Sequence, residues 1–255
     1  MVNHILYKNK TLPQFLMIMK AKGVFSKFSK LLYDMYANQD KLSVFRQFRL
    51  GEYCFDKIHM DWIVLYEGHE LIGHGVMCCI NWDGSIDDLP TGWSDSTCRS
   101  NNIGNKNTNV ALFARVQHNY RRMGYAGKLI ELMKTLSLNN NKKLIIPLRP
   151  PLRYKEEYAK ISFSDFSNLA RDDGKPLDPW IRLHCNIGAI RISISEYSHQ
   201  HVMNINDYCK YFPDVELDES EYHLVTINNE LYNSYVDLKH NIAVINQGCV
   251  WVQHC

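Results

Sequence analysis

The stretch that most constrains the fold is residues 109–136, where a strand pattern gives way to a helix pattern through a short turn. Residues 110–116 are mainly apolar and are bounded by polar residues, which is typical of a strand. After the turn, apolar residues recur at helical spacing until residues 139–141, all asparagine, end the run. These apolar residues are Leu129, Leu132, Met133 and Leu136. The sequence therefore predicts a strand and a helix joined by a turn at residues 120–127.

The turn carries the features of an anion site. Gly124 and Gly127 allow tight backbone conformations and let a ligand come close to the chain. The N–H groups at the start of the following helix have no intrahelical acceptor, and they lie at the positive end of the helix dipole. With Arg121 and Arg122 beside them, these donors predict a site for a phosphate or pyrophosphate.

The spacing of Val116, Tyr120, Arg121, Gly124 and Ala126 resembles the coenzyme-A-binding signature of the Gcn5-related N-acetyltransferases (GNAT). The resemblance implies an α+β fold of the GNAT type, with a central, mostly antiparallel mixed sheet whose splayed strands are flanked by helices. It also implies that acetyl-CoA or another acyl-CoA is the acyl donor and that its pyrophosphate is held by amides of the turn. The residues then expected to bind the acyl-CoA are Phe113, Ala114, Arg115, Val116, Arg121, Arg122, Met123, Gly124, Tyr125, Ala126, Gly127 and Lys128.

Composition excludes several other classes of protein. The chain has 255 residues and a formal charge of +2 from 29 basic and 27 acidic residues, without long like-charge blocks, so no dedicated nucleic-acid-binding surface is expected. None of the eight cysteines forms a C-x-x-C pair, so neither a zinc site nor a disulfide framework is indicated, and no metal is implied. We expect one cytoplasmic domain over residues 1–255 with reduced thiols and no membrane insertion.

The first part of the chain predicts helices followed by a hairpin. Residues 1–55 are expected to be helical in pieces, and residues 61–66 and 71–80 are expected to be paired strands around a glycine-containing turn. Residues 81–107 are predicted to be a packed loop, in which Trp82 and Trp93 are candidates for the wall of an acceptor pocket. A similar stretch occurs in a little-characterised bacterial branch of the GNAT superfamily.

The residues that follow the predicted helix of residues 129–136 are expected to form the other wall of the acyl-CoA site. Residues 143–148 have the pattern of a short buried strand, and Pro147 suits a strand that leaves its neighbour because proline donates no hydrogen bond. In the GNAT fold this strand diverges from the preceding one, and the pantetheine arm lies between them. Residues 149–179 are interpreted as an insertion over the acceptor site, with Arg149 as a candidate contact for the acceptor.

Asp178 and Pro179 predict the start of a helix that ends near Gly188, because aspartate caps helices and proline suits the first helical position. Asp178 and Trp180 are further candidates for binding the acceptor. His184 lies four residues before the glycine, where the GNAT family commonly has a tyrosine acid, so His184 is the candidate catalytic acid or base. A histidine bonded within the helix is the structural alternative.

Two strand patterns remain near the end of the sequence. Residues 223–227 and 242–252 are expected to form the last hairpin of the sheet.

Three functions are compatible with the sequence. The preferred function is transfer of an acyl group from acyl-CoA to a small-molecule or carrier-bound amine by direct attack. The region from Asp178 to Ala189 is also similar to the loading domains of some polyketide synthases, which decarboxylate malonyl-CoA. A non-catalytic acyl-CoA sensor is the third possibility.

In those loading domains the histidine at the position of His184 is catalytic, and a Tyr-Arg-Pro sequence follows the next strand. This chain has Tyr197, Ser198 and His199 instead. The arginine that would bind the malonyl carboxylate is therefore missing, which makes decarboxylation and S-acyl transfer the second choice.

Overall fold

The computed structural model describes residues 2–21, 58–68, 70–215, 217, 223–227 and 229–255. Its strands are β1 (Asn3–Lys10), β2 (Met60–Glu67), β3 (Glu70–Ile80), β4 (Thr108–Val116), β5 (Lys143–Leu148), β6 (Ala189–Asn204), β7 (His223–Ile227), β8 (Glu230–Asp237) and β9 (Ile242–His254). Its α-helices are α1 (Leu12–Ala21), α2 (Trp93–Arg99), α3 (Tyr125–Asn139), α4 (Phe163–Asn168), α5 (Pro179–Asn186) and α6 (Ile205–Tyr211). Within these ranges no helix has the length and apolar character needed to cross a membrane.

All the strands of the described part join in one sheet, in the order β1-β2-β3-β4-β5-β9-β8-β7, with β6 paired to β9 as well. Only β4 and β5 are parallel, and every other pair is antiparallel. This mixed, mostly antiparallel sheet with helices packed on it is the α+β arrangement that the sequence predicts.

Strand β9 organises the second half of the sheet. Strand β6 follows β9 along residues 242–254. The other edge of β9 is shared, because β8 pairs with residues 242–246 and β5 pairs with residues 250–254. Residues 247–249 of that edge therefore pair with neither β5 nor β8.

The core has two layers because successive side chains of each strand point to opposite faces of the sheet. Trp62 and Val64 of β2 pack with α1, where the rings of Phe15 and Trp62 stack with centroids 4.3 Å apart. Ile63 and Leu65 point to the opposite face, which α3 and α5 cover. Burial of both faces explains why β2 and β3 consist almost wholly of apolar residues.

Two parts of the sequence prediction are wrong. Residues 3–10 form β1 and not a helix, because this segment pairs with β2 at the sheet edge, a long-range interaction that local patterns do not reveal. The other helices expected before residue 55 fall largely on residues 22–57, which are outside the described residues. The expected hairpin of residues 223–227 with 242–252 is also wrong, because β8 lies between β7 and β9 and pairs with both.

The close approach of β3 and β4 gives a first testable expectation. A Cβ at Gly73 would overlap the backbone carbonyl oxygen of Arg115, which has no rotamer to change. We expect Gly73→Ala to lower the free energy of unfolding by about 1–3 kcal/mol, measured by urea denaturation. Gly127→Ala is the control, since the new methyl would meet only Leu183 Cδ1 at 3.7 Å. Equal stability of the two variants would contradict this packing.

Candidate active site

A cleft opens where β4 and β5 stop pairing. The two strands are in register at three positions, from Thr108 with Lys143 to Val110 with Ile145, and then diverge. A cavity of about 350 Å³ lies in the opening. Its walls are Ala111, Leu112, Phe113 and Ala114 of β4, Ile130 of α3, Ile146, Pro147, Leu148 and Arg149 at the end of β5, and Trp93, Trp180, Ser198, His199, Gln247 and Gly248.

An irregularity in β4 coincides with the opening. The register with β3 shifts between Val76–Phe113 and Met77–Ala111, so Leu112 is an extra residue in β4. Its carbonyl oxygen accepts a hydrogen bond from Trp93 Nε1 at 3.1 Å. The Trp93 ring packs edge-on against Phe113, with centroids 5.4 Å apart. Helix α2 thus closes one side of the cavity, in a region that the sequence predicts only as loop.

The turn after β4 presents unpaired donors, as the sequence predicts. Arg122 and Gly124 have φ angles of +64° and +82°. The first helical hydrogen bond of α3 runs from Lys128 N–H to the Gly124 carbonyl at 3.1 Å, so the three preceding N–H groups have no helical acceptor. No acidic residue lies in the first turn of α3. The positive end of this helix is therefore open to an anion.

The residues expected to bind acyl-CoA fall into two groups along one path. Phe113 and Ala114 line the cavity, whereas Arg115 and Val116 complete β4 beyond it. Residues 121–128 form the turn and the start of α3, and Arg121 and Arg122 are exposed. The cleft is apolar and the turn that follows β4 is cationic. Together they suit an elongated ligand with a phosphate group at one end.

The candidates for acceptor binding separate in the structure. Trp93, Arg149 and Trp180 line the cavity. Trp82 does not, because it is buried in its own loop, where Nε1 donates to the Ser85 carbonyl at 2.8 Å. Asp178 does not line it either, because its carboxylate caps α5 and also accepts the Leu152 N–H at 3.0 Å.

His184 lies outside the lining of the cavity. Its side chain is fully buried, and Nδ1 shares a hydrogen bond of 2.9 Å with Nε2 of His254. Burial and the neighbouring His254 lower the pKa of His184 to about 3. The His184 ring packs edge-on against Trp180 at 5.0 Å, so its contact with the site runs through that ring. This geometry does not favour His184 as the acid or base.

The imidazole that lines the cavity belongs to His199, which the sequence patterns do not indicate as a site residue. Strand β6 has a bulge opposite Gly248, since Ser195 pairs with Cys249 and His199 with Gln247. Ser198 Oγ accepts the Trp93 N–H at 3.0 Å, and His199 Nδ1 lies 2.9 Å from Ser94 Oγ. Both contacts tie the bulge to the start of α2. The sequence does carry a signal, because residues 197–199 are where it departs from the polyketide loading domains.

Arg149 joins the end of β5 to β8 across the gap beside β9. One guanidinium nitrogen is 2.6 Å from both Glu230 Oε2 and Tyr232 Oη, and Tyr232 Oη donates to the same carboxylate oxygen at 2.6 Å. The guanidinium carbon lies 4.0 Å from the centre of the Tyr154 ring. Burial opposes the charge of Arg149, but Tyr232, Tyr154 and Glu230 raise its pKa overall. This cation is therefore already compensated within the protein.

The fold is that of the Gcn5-related N-acetyltransferases. The loading GNATL domain of CurA from Lyngbya majuscula superposes with a TM-score of 0.50 at 12% identity, covering 75% of this chain and 87% of that domain. The GphF GNAT-like decarboxylase in complex with isobutyryl-CoA is similar at a TM-score of 0.46 and 13% identity, covering 76% of this chain and 77% of that one. No protein-family model matches the sequence, and neither does any curated protein. At these identities the likeness concerns the fold alone.

The buried histidines make stability depend on pH. Burial is the main cause that lowers the pKa of His74 and His184 to about 3 and that of His254 to about 4. The unfolded chain, with ordinary histidines near 6.5, therefore takes up protons first as the pH falls, and stability is lost between about pH 6.5 and pH 3. We expect His184→Asn to reduce the loss of unfolding free energy between pH 7 and pH 5 by about 1–2 kcal/mol.

Urea denaturation at the two pH values measures this difference. His240→Asn is the matched control, because the His240 side chain is 63% exposed. An unchanged pH dependence in His184→Asn would show that His184 is not held neutral by burial.

Proposed function

We propose that this protein is an acyltransferase that moves an acyl group from acyl-CoA to an amine acceptor by direct attack. Two observations carry the proposal: the cavity between β4 and β5, which Ile130 of α3 lines, and the open amide donors of residues 125–127 at the start of the same helix. The turn supplies positive charge for a pyrophosphate, and the cleft supplies apolar walls for an extended arm. The shared fold and the signature resemblance support this assignment.

The divergence of β4 and β5 leaves an edge of β4 for the extended arm. Beyond Val110, β5 no longer pairs with β4, so β5 does not cover that edge. Pro147 on the opposite wall has no N–H and cannot help to close the ladder. The cleft therefore stays available for a ligand that hydrogen-bonds to β4 as a strand would.

His199 is the group we assign to proton transfer. In the reaction the amine nitrogen attacks the thioester carbon, a C–N bond forms, the C–S bond breaks, and the thiolate leaves. One proton must leave the amine, and the thiolate gains one when it becomes the thiol of CoA. An imidazole is suited to accept the first and return the second, and Ser94 at 2.9 Å fixes the orientation of the His199 ring.

A charge substitution in the turn tests the binding half of the proposal. Glutamate in the first turn of a helix stabilises the helix but repels an anionic ligand. We expect Ala126→Glu to keep or raise the melting temperature while weakening CoA binding at least tenfold, measured by calorimetry.

Thr135→Glu makes the same charge change at an exposed position near the other end of α3 and should keep CoA binding. Full CoA affinity in Ala126→Glu would contradict the assignment of the turn, and absence of CoA binding by the unmodified protein would overturn the proposed function.

The catalytic half is tested by comparing two histidines. We expect His199→Ala to lower kcat for acyl transfer by roughly 10²–10⁴-fold with CoA affinity retained, since general acid–base groups contribute about that much. His184→Ala should lower stability and change kcat by less than tenfold, because His184 contacts the site only through Trp180.

Thiol release from acetyl-, propionyl- and malonyl-CoA, with carbon dioxide measured for the last, gives the rates. A loss of kcat confined to His184→Ala would reverse the assignment. Carbon dioxide release from malonyl-CoA would establish the decarboxylase alternative. CoA binding without thiol release in the presence of any amine would favour the sensor.

A further inference from the structure

A second cavity, of about 630 Å³, lies on the other side of Gly248 from the first. Gly248 borders both cavities, and its N–H donates to Tyr154 Oη at 3.2 Å. The bulge of β6 also contributes to both, with Glu196 and Tyr197 in the second cavity and Ser198 and His199 in the first. The remaining walls of the second cavity are Arg153, Tyr154, Ala159, Lys160, Ile161, Ser162, Phe163, Leu224, Leu231, Asn233 and Asn246.

Arg153 is the unusual residue of this cavity. It is only 6% exposed, and its Nε is fully buried with no hydrogen-bond acceptor among the described residues. One guanidinium nitrogen donates to the Tyr158 carbonyl at 3.0 Å. No carboxylate of the described part of the chain lies within ion-pair distance of it. A buried cation without an ion-pair partner and with an unused donor is costly to a protein, so its presence beside a cavity points to a ligand.

Arg149 and Arg153 differ in their surroundings. Arg149 is paired with Glu230 and Tyr232, and its pKa is raised overall, although burial opposes its charge. Burial lowers the pKa of Arg153, and the nearby Tyr154 and Glu196 do not offset that effect. The Nε of each arginine is buried without an acceptor among the described residues, but Arg149 forms an ion pair there and Arg153 does not.

The charges of the cavity suggest what kind of anion fits. Glu196 and Lys160 are exposed and line the same cavity, so the site combines two cations, one of them buried, with an accessible carboxylate. The net charge favours an anionic group, and Glu196 is suited to a positively charged group of the same ligand, which phosphate lacks. A molecule with one carboxylate and one ammonium group can satisfy Arg153 and Glu196 together.

We propose that the second cavity binds the acceptor, and that the acceptor is an amine that also carries a carboxylate, such as an amino acid or a short peptide. This inference rests on the proposed acyl transfer. Arg153 holds the carboxylate, and the amine enters as an ammonium group beside Glu196. The ammonium group releases one proton to solvent, and the neutral amine nitrogen then lies at Gly248, next to His199 of the first cavity.

Matched pairs of amines test the proposal. Each standard amino acid that has a simple decarboxylated counterpart is compared with it, for example lysine with cadaverine and histidine with histamine, and glycylglycine represents peptides. Binding to the CoA-loaded protein is measured by calorimetry, and thiol release from acetyl-CoA is measured in parallel. We expect at least one carboxylate-bearing amine to bind, and its decarboxylated counterpart to bind roughly tenfold to a hundredfold more weakly.

Variants of Arg153 then locate the carboxylate. Arg153→Gln should remove the preference within the pair, and Arg153→Lys should restore part of it. The melting temperature should fall only slightly in either variant, because the change removes the hydrogen bond to the Tyr158 carbonyl but no ion pair among the described residues. CoA affinity should be retained. Arg171→Gln is the control, because that side chain is 50% exposed and pairs with Asp173 at 3.8 Å.

Equal binding within every pair, or no binding by any carboxylate-bearing amine to protein that does bind CoA, would overturn this inference and leave the proposed function intact. A preference that persists in Arg153→Gln would also overturn it. Failure to bind CoA in the first place would overturn the proposed function, and calorimetry on the CoA-free protein would still report any carboxylate that binds at Arg153.

Discussion

The structure depends on one interrupted interaction, the loss of pairing between β4 and β5 beyond Val110 and Ile145. A parallel ladder that stops inside a sheet leaves backbone groups without partners, which is costly unless something else uses them. The extra residue Leu112 bends β4 away, and Pro147 gives β5 no N–H to offer at its own position. Water or a ligand can complete these hydrogen bonds, which is the physical reason to propose the cleft as a binding site.

Strand β9, on the far side of the cleft, also has an interrupted edge. On the edge that faces β5 and β8, residues 247–249 pair with neither strand, and β6 bulges opposite Gly248 on the other edge. Gly248 is a glycine because a Cβ there would lie 2.5 Å from the Phe163 ring. The irregularities of three strands thus meet at one point, and that point divides two cavities. This coincidence is difficult to explain by packing alone.

Sequence patterns predicted the parts of this architecture that are encoded locally. The strand and helix around Gly124, the strand over residues 143–148 and the cap of α5 at Asp178 all follow from short-range periodicity and helix-end chemistry. Strand β1 was missed because its pairing partner, β2, is about fifty residues away in sequence.

The site itself was only partly predictable. Four candidates from the sequence, Phe113, Trp93, Arg149 and Trp180, line the cavity, and their roles in binding stay predictions. His199 was missed because only the bulge of β6 directs it to the cleft, and a bulge is specified by pairing with β9. His184 has the chemistry of a catalytic residue and a familiar position in the chain, yet its burial against His254 becomes visible only when β9 and α5 are brought together.

The most direct test of the central claim is hydrogen–deuterium exchange of the intact chain with and without CoA. The proposed function requires that CoA slow the exchange of amides in two places, residues 111–116 of β4 and residues 122–127 of the turn. Protection of both segments together would support one continuous ligand along the cleft. Unchanged exchange in both at saturating CoA, or protection confined to another part of the chain, would contradict the account.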